Sequence, residues 1–244
     1  MDRKFLVSAL MTIGLSSLAV NANAAGSFGT NLIANPGAEL GPGSPTGGAV
    51  ASVPDWSPTG NFTVVQYLAS SVFPTLTDPG PANRGSNFFA GGDSNAFSSA
   101  EQQLDITFAS NAVNGTGALF SLSGWLGGFA SQGDNAVLQA HFLNGVGADL
   151  GMASIGPVTN VDRANATGLQ FREATGEIPI GTETVHFTLN MSRLAGSYND
   201  GYADNLSFVL SPVPEPETYA MFMAGLGLMG FLARRRKQKE ATSD

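Results

Sequence analysis

Cysteine is absent from all 244 residues. That excludes disulfides, thiolate catalysis and zinc–thiolate sites together, so a folded domain here must be held by core burial, with or without a bound metal. Cations are scarce too. Between residues 25 and 211 the only ones are Arg84, Arg163, Arg172 and Arg193; there is no lysine, and 14 Asp and Glu stand against them. Such a surface repels phosphate backbones and argues against a nucleic-acid partner, while suiting neutral sugars or multivalent cations. No segment keeps an amphipathic helical period for more than three turns, and the two long uncharged apolar runs lie at the ends of the chain.

The first run opens the chain. Arg3 and Lys4 precede the apolar stretch Phe5 to Val20, and Ala22-Asn23-Ala24 supplies the small-x-small pattern of signal-peptidase cleavage. Residues 1–24 are therefore expected to be a signal peptide cut after Ala24. The stretch is short for a transmembrane span and has signal-peptide flanks.

What is abundant is glycine, 31 of 244 residues, nearly twice the usual share of about 7%. With low charge and many Asn, Ser and Thr, this describes a turn-rich β protein. Alternation of polar and apolar residues predicts strands over Gln102 to Phe108 and Thr184 to Met191. In the latter, Val185, Phe187, Leu189 and Met191 share one face. Ala118 to Leu126, Ala136 to Leu143 and Leu206 to Leu210 read as further strands, and Gly41 to Gly48 and Thr77 to Ser86 as turns. The expected fold is all-β, a single β-sandwich over residues 25–211, and the resemblance of its two end segments given below implies that the sandwich is a jelly roll.

The second run closes the chain. Val213, Pro214, Glu215, Pro216 and Glu217 cannot begin a helix, because the prolines fix φ and lack amide donors. Thr218 to Ala233 is then an uncharged apolar stretch, predicted to be a short membrane helix, and Arg234, Arg235, Arg236 and Lys237 follow at once. A helix over 218–233 spans roughly 24 Å, less than the ~30 Å hydrocarbon core. The basic cluster stays cytoplasmic under the positive-inside rule, which leaves the domain outside the inner membrane. Residues 212–244 resemble the PEP-CTERM sorting signal of Gram-negative bacteria: a Pro-Glu-Pro box, a short apolar helix and an Arg-rich end. The resemblance implies processing near the box by a membrane exosortase and release to the cell surface or extracellular matrix, in a family associated with exopolysaccharide producers. A plain C-terminal anchor is the alternative. Gly225-Leu226-Gly227-Leu228-Met229-Gly230 spells the dinucleotide fingerprint, but it follows no strand and lies in the apolar run, so it is discarded.

Asn31-Leu32-Ile33-Ala34-Asn35-Pro36-Gly37-Ala38-Glu39 and Asn199-Asp200-Gly201-Tyr202-Ala203-Asp204-Asn205-Leu206-Ser207-Phe208 together resemble the first and last strands of galactose-binding-like jelly rolls, the fold of many carbohydrate-binding modules. The resemblance implies that the two segments lie side by side and that Glu39 and Asp204 hold a structural calcium completed by backbone carbonyls. Calcium takes six to eight oxygens of this mixed kind; turn-capping by the same two acids is the alternative. The segment carrying Trp56 also looks like these modules.

Sugar recognition needs exposed aromatic faces beside polar groups. Trp56, Tyr67, Trp125, Tyr198 and Tyr202 are the aromatic candidates, with Arg84, Gln132, Asp134 and Asp200 as hydrogen-bonding neighbours; core packing is the competing role for each aromatic. His141 and His186, the two histidines, sit within predicted strands, and no nucleophile elbow or H-E-x-x-H is present. A non-catalytic protein is expected, one that binds carbohydrate or exopolysaccharide. The alternatives are a matrix protein with protein partners and a glycan-active hydrolase.

Overall fold

A computed structural model describes residues 26–70, 72–213 and 221–229. The leader at 1–24, the Pro214-Glu215-Pro216 box and the basic end at 234–237 lie outside the described residues. Of the tail helix expected over 218–233, residues 221–229 are described and helical. No described helix is long and apolar enough to cross a membrane.

Ten strands form two antiparallel sheets. In chain order they are β1 (Ser57–Thr59), β2 (Thr63–Gln66), β3 (Asn87–Asp93), β4 (Phe97–Asp105), β5 (Ala118–Gly128), β6 (Asn135–Leu143), β7 (Asp149–Ile155), β8 (Gly168–Glu177), β9 (Thr184–Ser192) and β10 (Tyr198–Pro212). One sheet runs β1-β4-β9-β6-β7 and the other β2-β3-β10-β5-β8. Without the short β1 and β2, the eight long strands alternate between sheets until β6 and β7, which form a hairpin. Strands then return to lie beside earlier ones, and this nesting is the jelly roll.

The alternating segments became strands and buried the faces the pattern marks. Val185, Phe187, Leu189 and Met191 of β9 meet Phe120 and Leu122 of β5 and Phe208 of β10 in one core. At its centre the Phe208 ring stands 5.1 Å from Phe187, 6.0 Å from Phe120 and 6.5 Å from Phe142. The strand expected over 102–108 instead spans Phe97–Asp105. There Asp105 Oδ1 accepts the Thr107 amide at 2.7 Å and turns the chain into a 3-10 turn and a one-turn helix, Ser110–Val113.

β10 begins eight residues before Leu206, where Asn, Asp and Gly read as a turn. It is the central strand of its sheet and changes phase midway. Asp204 lies opposite Trp125, yet Ser207 lies opposite Ser123, so β10 carries one extra residue there. Asn205 absorbs it with φ 46°. Ala203 before the bulge and Leu206, Phe208 and Leu210 after it therefore all face the core, and Asp204 leaves on the outer face. β3 pairs with β10 only as far as Ala203. Beyond it the N-terminal segment takes over: Gly29 and Leu32 donate to Leu210 and Phe208 carbonyls, and Asn31 bridges to Val209. The two ends of the domain lie side by side.

A second, smaller apolar cluster of Val65, Tyr67, Phe73, Phe88, Ala90, Leu169 and Tyr202 covers part of the outer face of the β10 sheet. The segment after β2 folds over it. Phe208→Ala empties the meeting point of three aromatic rings and should cost about 3–5 kcal/mol, measured by urea unfolding; a loss below about 1 kcal/mol would mean the core is not organised around this ring.

Candidate functional site

The outer face of the β10 sheet places aromatic side chains that reach solvent beside polar ones. Its register puts Asp204, Trp125 and Phe171 in one row across β10, β5 and β8; Ser207, Ser123 and Glu173 in the next; and Val209, Ser121 and Thr175 in the third. Trp125 is partly buried, and Phe171 is 48% exposed. Their rings meet edge to face at 5.9 Å. Ser121 Oγ donates to Glu173 at 2.8 Å. The result is a strip of hydroxyls with an aromatic pair at one end.

Of the aromatic candidates, Trp125 alone has this setting. Trp56 is core: it is buried, packs edge to face on Phe89 at 5.6 Å, and donates Nε1 to the Asn35 carbonyl. Tyr67 and Tyr202 are buried as well, because the segment over the outer face covers them. Tyr198 is partly buried, with its hydroxyl on the Gly47 carbonyl and its ring 5.3 Å from Phe73. Phe171 was missed by sequence reasoning, since β8 carries apolar side chains only at Leu169, Phe171 and Ala174 and shows no sustained alternation.

The expected hydrogen-bonding neighbours serve the scaffold. Arg84 donates to the carbonyls of Pro81, Thr75 and Asp78 and lies 5.2 Å from the Tyr67 ring, pinning the covering segment. Asp134 accepts the amides of Leu194, Ala195 and Asp200 at 2.7–3.0 Å. The Gln132 carbonyl receives Arg163, and Asp200 accepts the Tyr202 hydroxyl. Asp134, Asp200 and the Gln132 carbonyl tie the loops at the end of the sandwich opposite the tail.

Glu39 and Asp204 do come together. A Cβ placed on Gly37 would fall 3.3 Å from Asp204 Oδ1, 3.1 Å from Asn205 Oδ1 and 3.9 Å from Glu39 Cγ. Glu39 Oε1 accepts the amides of Ser86 and Asn87 at 2.9 and 2.8 Å. The same oxygen would lie 2.4 Å from a Cβ at Gly85, where φ is +67°, so that position requires glycine. Asp204 accepts the Tyr67 hydroxyl on Oδ2 and the Asn205 amide on Oδ1, both at 2.7 Å. Burial, reinforced by the charge of Glu39, pushes the Asp204 carboxyl up to about 7, against the pull of those bonds and of Arg84. Among the described residues no three His, Asp or Glu side chains cluster as metal ligands. A cation here would need amide or carbonyl oxygens beside the two carboxylates.

The histidines lie on the opposite sheet's outer face, directly across from each other on β6 and β9. His141 Nδ1 sits 2.7 Å from Asp149 and His186 Nε2 3.3 Å from Glu101.

Residues 212–237 match the PEP-CTERM protein-sorting motif, and the match begins at the last residue of β10 and does not extend over the rest of the sandwich. No curated protein matches the chain. Among solved structures, the Stig cyclase Fisc from Fischerella sp. TAU is similar at a TM-score of 0.49 and 14% identity, over 77% of this chain and 100% of that one. The enzymatically active domain of tailspike protein 4 from bacteriophage CBA120 is similar at 0.41 and 15%, over 69% of this chain and 22% of that one. The CBM22-1–GH10 modules of Clostridium thermocellum endo-1,4-β-D-xylanase 10B, complexed with xylohexaose, follow at 0.40 and 12%, over 66% and 27%. The chain thus spans about a quarter or less of the tailspike and xylanase chains. Such distant likeness says nothing of ligand or activity.

Burial raises the Asp200 carboxyl to about 6, helped by the charge of Asp134 and opposed by the Tyr202 hydroxyl and Arg163. Its folded pKa exceeds its unfolded one, so its contribution to stability is complete below about 4 and is lost as pH rises through about 6. Asp200→Asn keeps an acceptor for Tyr202 without the charge. Relative to wild type its Tm should rise by a few degrees between pH 4.5 and pH 8 in thermal scans; a difference constant with pH would show that Asp200 does not titrate in this range.

Proposed function

We propose that the chain is an exported, non-catalytic surface or matrix protein whose sandwich binds neutral polysaccharide, with the exopolysaccharide of the producing Gram-negative cell as ligand. The sorting motif supports export and exosortase processing. The observation that carries the carbohydrate reading is the Trp125–Phe171 pair at the end of the serine-lined strip on the β10 sheet. An aromatic face stacks on the apolar side of a sugar ring, and adjacent hydroxyls and carboxylates meet its rim. The acidic surface favours a neutral glycan over an anionic one.

Calcium belongs to the same reading. Glu39 and Asp204 would hold it, with Asn205 Oδ1 within reach. The ion would supply charge compensation for the buried Asp204 carboxyl, which has the exposed Glu39 carboxylate beside it and Arg84 nearby. It would join the N-terminal segment to β10, and has no part in chemistry.

A second reading, adhesion to a protein partner by strand addition, is favoured by β8, a ten-residue strand at the edge of its sheet. Arg172, Glu173 and Glu177 along it weigh against open-ended pairing.

Trp125→Ala and Phe171→Ala should each weaken binding to a panel of soluble neutral polysaccharides by about tenfold in affinity electrophoresis. Phe97→Ala, an exposed aromatic on the other sheet, should leave it unchanged. Equal loss in all three variants, or binding to none of the panel by wild type, would overturn the carbohydrate reading. Separately, EDTA should lower the Tm of the wild-type domain by several degrees and leave Glu39→Gln unmoved. An unshifted wild-type curve together with no metal by elemental analysis would exclude calcium.

A further inference from the structure

The sorting motif starts inside the folded domain. It begins at residue 212, yet Pro212 is still paired with Ala118 in β10 and the Val213 amide donates to the Gly117 carbonyl at 3.1 Å. The tail helix is formed by residue 221. Eight residues at full extension reach about 27 Å, so the domain cannot swing far from the membrane its tail enters.

Three connections share the end of the sandwich from which the tail departs. They are 106–117 between β4 and β5, 144–148 between β6 and β7, and 178–183 between β8 and β9. They are tied together: Ile106 donates to the Glu183 carbonyl, Gly181 to Asn114 Oδ1, and Glu183 to the Leu143 carbonyl, each at 2.9 Å. Each carries one outward apolar side chain: Phe108 is 38% exposed, Val146 88% and Ile180 77%. The tips are preorganised. Asn144 Oδ1 accepts the amides of Val146 and Ala148 at 3.1 and 2.9 Å, and Thr182 Oγ1 donates to the Pro179 carbonyl at 2.7 Å.

We propose that this end of the sandwich rests on the lipid surface that receives the tail, with Phe108, Val146 and Ile180 dipping into the headgroup region. The inference rests on the proposed reading of the tail as an exosortase sorting signal, whose apolar run sits in the membrane before processing. Separate apolar tips on rigid turns suit an interface with lipid better than a continuous face on another protein. A contact too weak to hold a free domain is populated when a short tether raises its effective concentration. Asp105, Asp149, Glu177 and Glu183 surround the tips, and no Lys or Arg stands on these connections, so the surface fits zwitterionic lipid rather than an anionic one. The domain then stands upright, with the Asp134–Arg163 loops at the far end.

Because the chain lacks cysteine, single labelling sites are unambiguous. Full-length Val146→Cys and Ile180→Cys, each carrying an environment-sensitive fluorophore, would be reconstituted into phosphatidylcholine vesicles containing nitroxide-labelled lipid. Val161→Cys and Leu194→Cys, similarly exposed at the opposite end, are the controls. Emission at 146 and 180 should shift to the blue and be quenched severalfold more than at 161 and 194. Labels that stay water-like on a chain that floats with the vesicles would overturn the contact while sparing the tail reading. A blue shift without lipid quenching would place protein there and overturn it as well. A chain that fails to float would sink both.

Discussion

β10 must serve two neighbours and two faces, and the single extra residue at Asn205 lets it do so. Without it, the alternation that sends Ala203 inward would send Ser207 and Val209 inward too, and Phe208 would leave the ring cluster with Phe120, Phe142 and Phe187. With it, the strand keeps an apolar inner face on both sides of the bulge. Asp204 is held on the outer face beside Trp125, opposite the Tyr67 hydroxyl. The bulge also lies where β3 ends and the N-terminal segment takes over as partner. The bulge thus sets the core, the acid pair and the closure of the domain together.

A chain with four cations in its domain cannot neutralise its buried acids with ion pairs. Asp134 is satisfied by three amides and Asp204 by an amide and a tyrosine hydroxyl, while the exposed Glu39 accepts two amides. The buried arginine is spent elsewhere: Arg163 donates to the carbonyls of Ala130, Ala166 and Gln132, and the partly buried Arg84 to three more in its own loop. Both act as loop clasps. The acids keep their burial cost, which is why the Asp200 and Asp204 carboxyls lie above their ordinary range. A cation between Glu39 and Asp204 would relieve the larger of these.

The parts arrange along one axis. The tail leaves from the end bearing Phe108, Val146 and Ile180. The aromatic pair and its serine strip lie on a side face of the sheet, and the Asp134–Arg163 knot closes the far end. On the proposed reading, a ligand on the side face would be reachable whether the domain is tethered or released.

Composition and local pattern were enough to determine the all-β class, the approximate place of five strands and the sorting tail. Each is written in short-range order, a period of two or a proline pair before an apolar run, whereas the neighbouring of Glu39 with Asp204 was legible only through the resemblance of the two end segments to galactose-binding-like jelly rolls. Which aromatics face solvent was decided only in three dimensions. Tyr202 stands on an outer face, yet the segment after β2, which begins with Tyr67 and is pinned by Arg84, folds over it and both rings are buried. Trp56 is drawn into the core by Phe89, and Phe171 becomes a candidate site residue because β5 places Trp125 beside it. Burial depends on what crosses over a strand from far along the chain, and no local period records that.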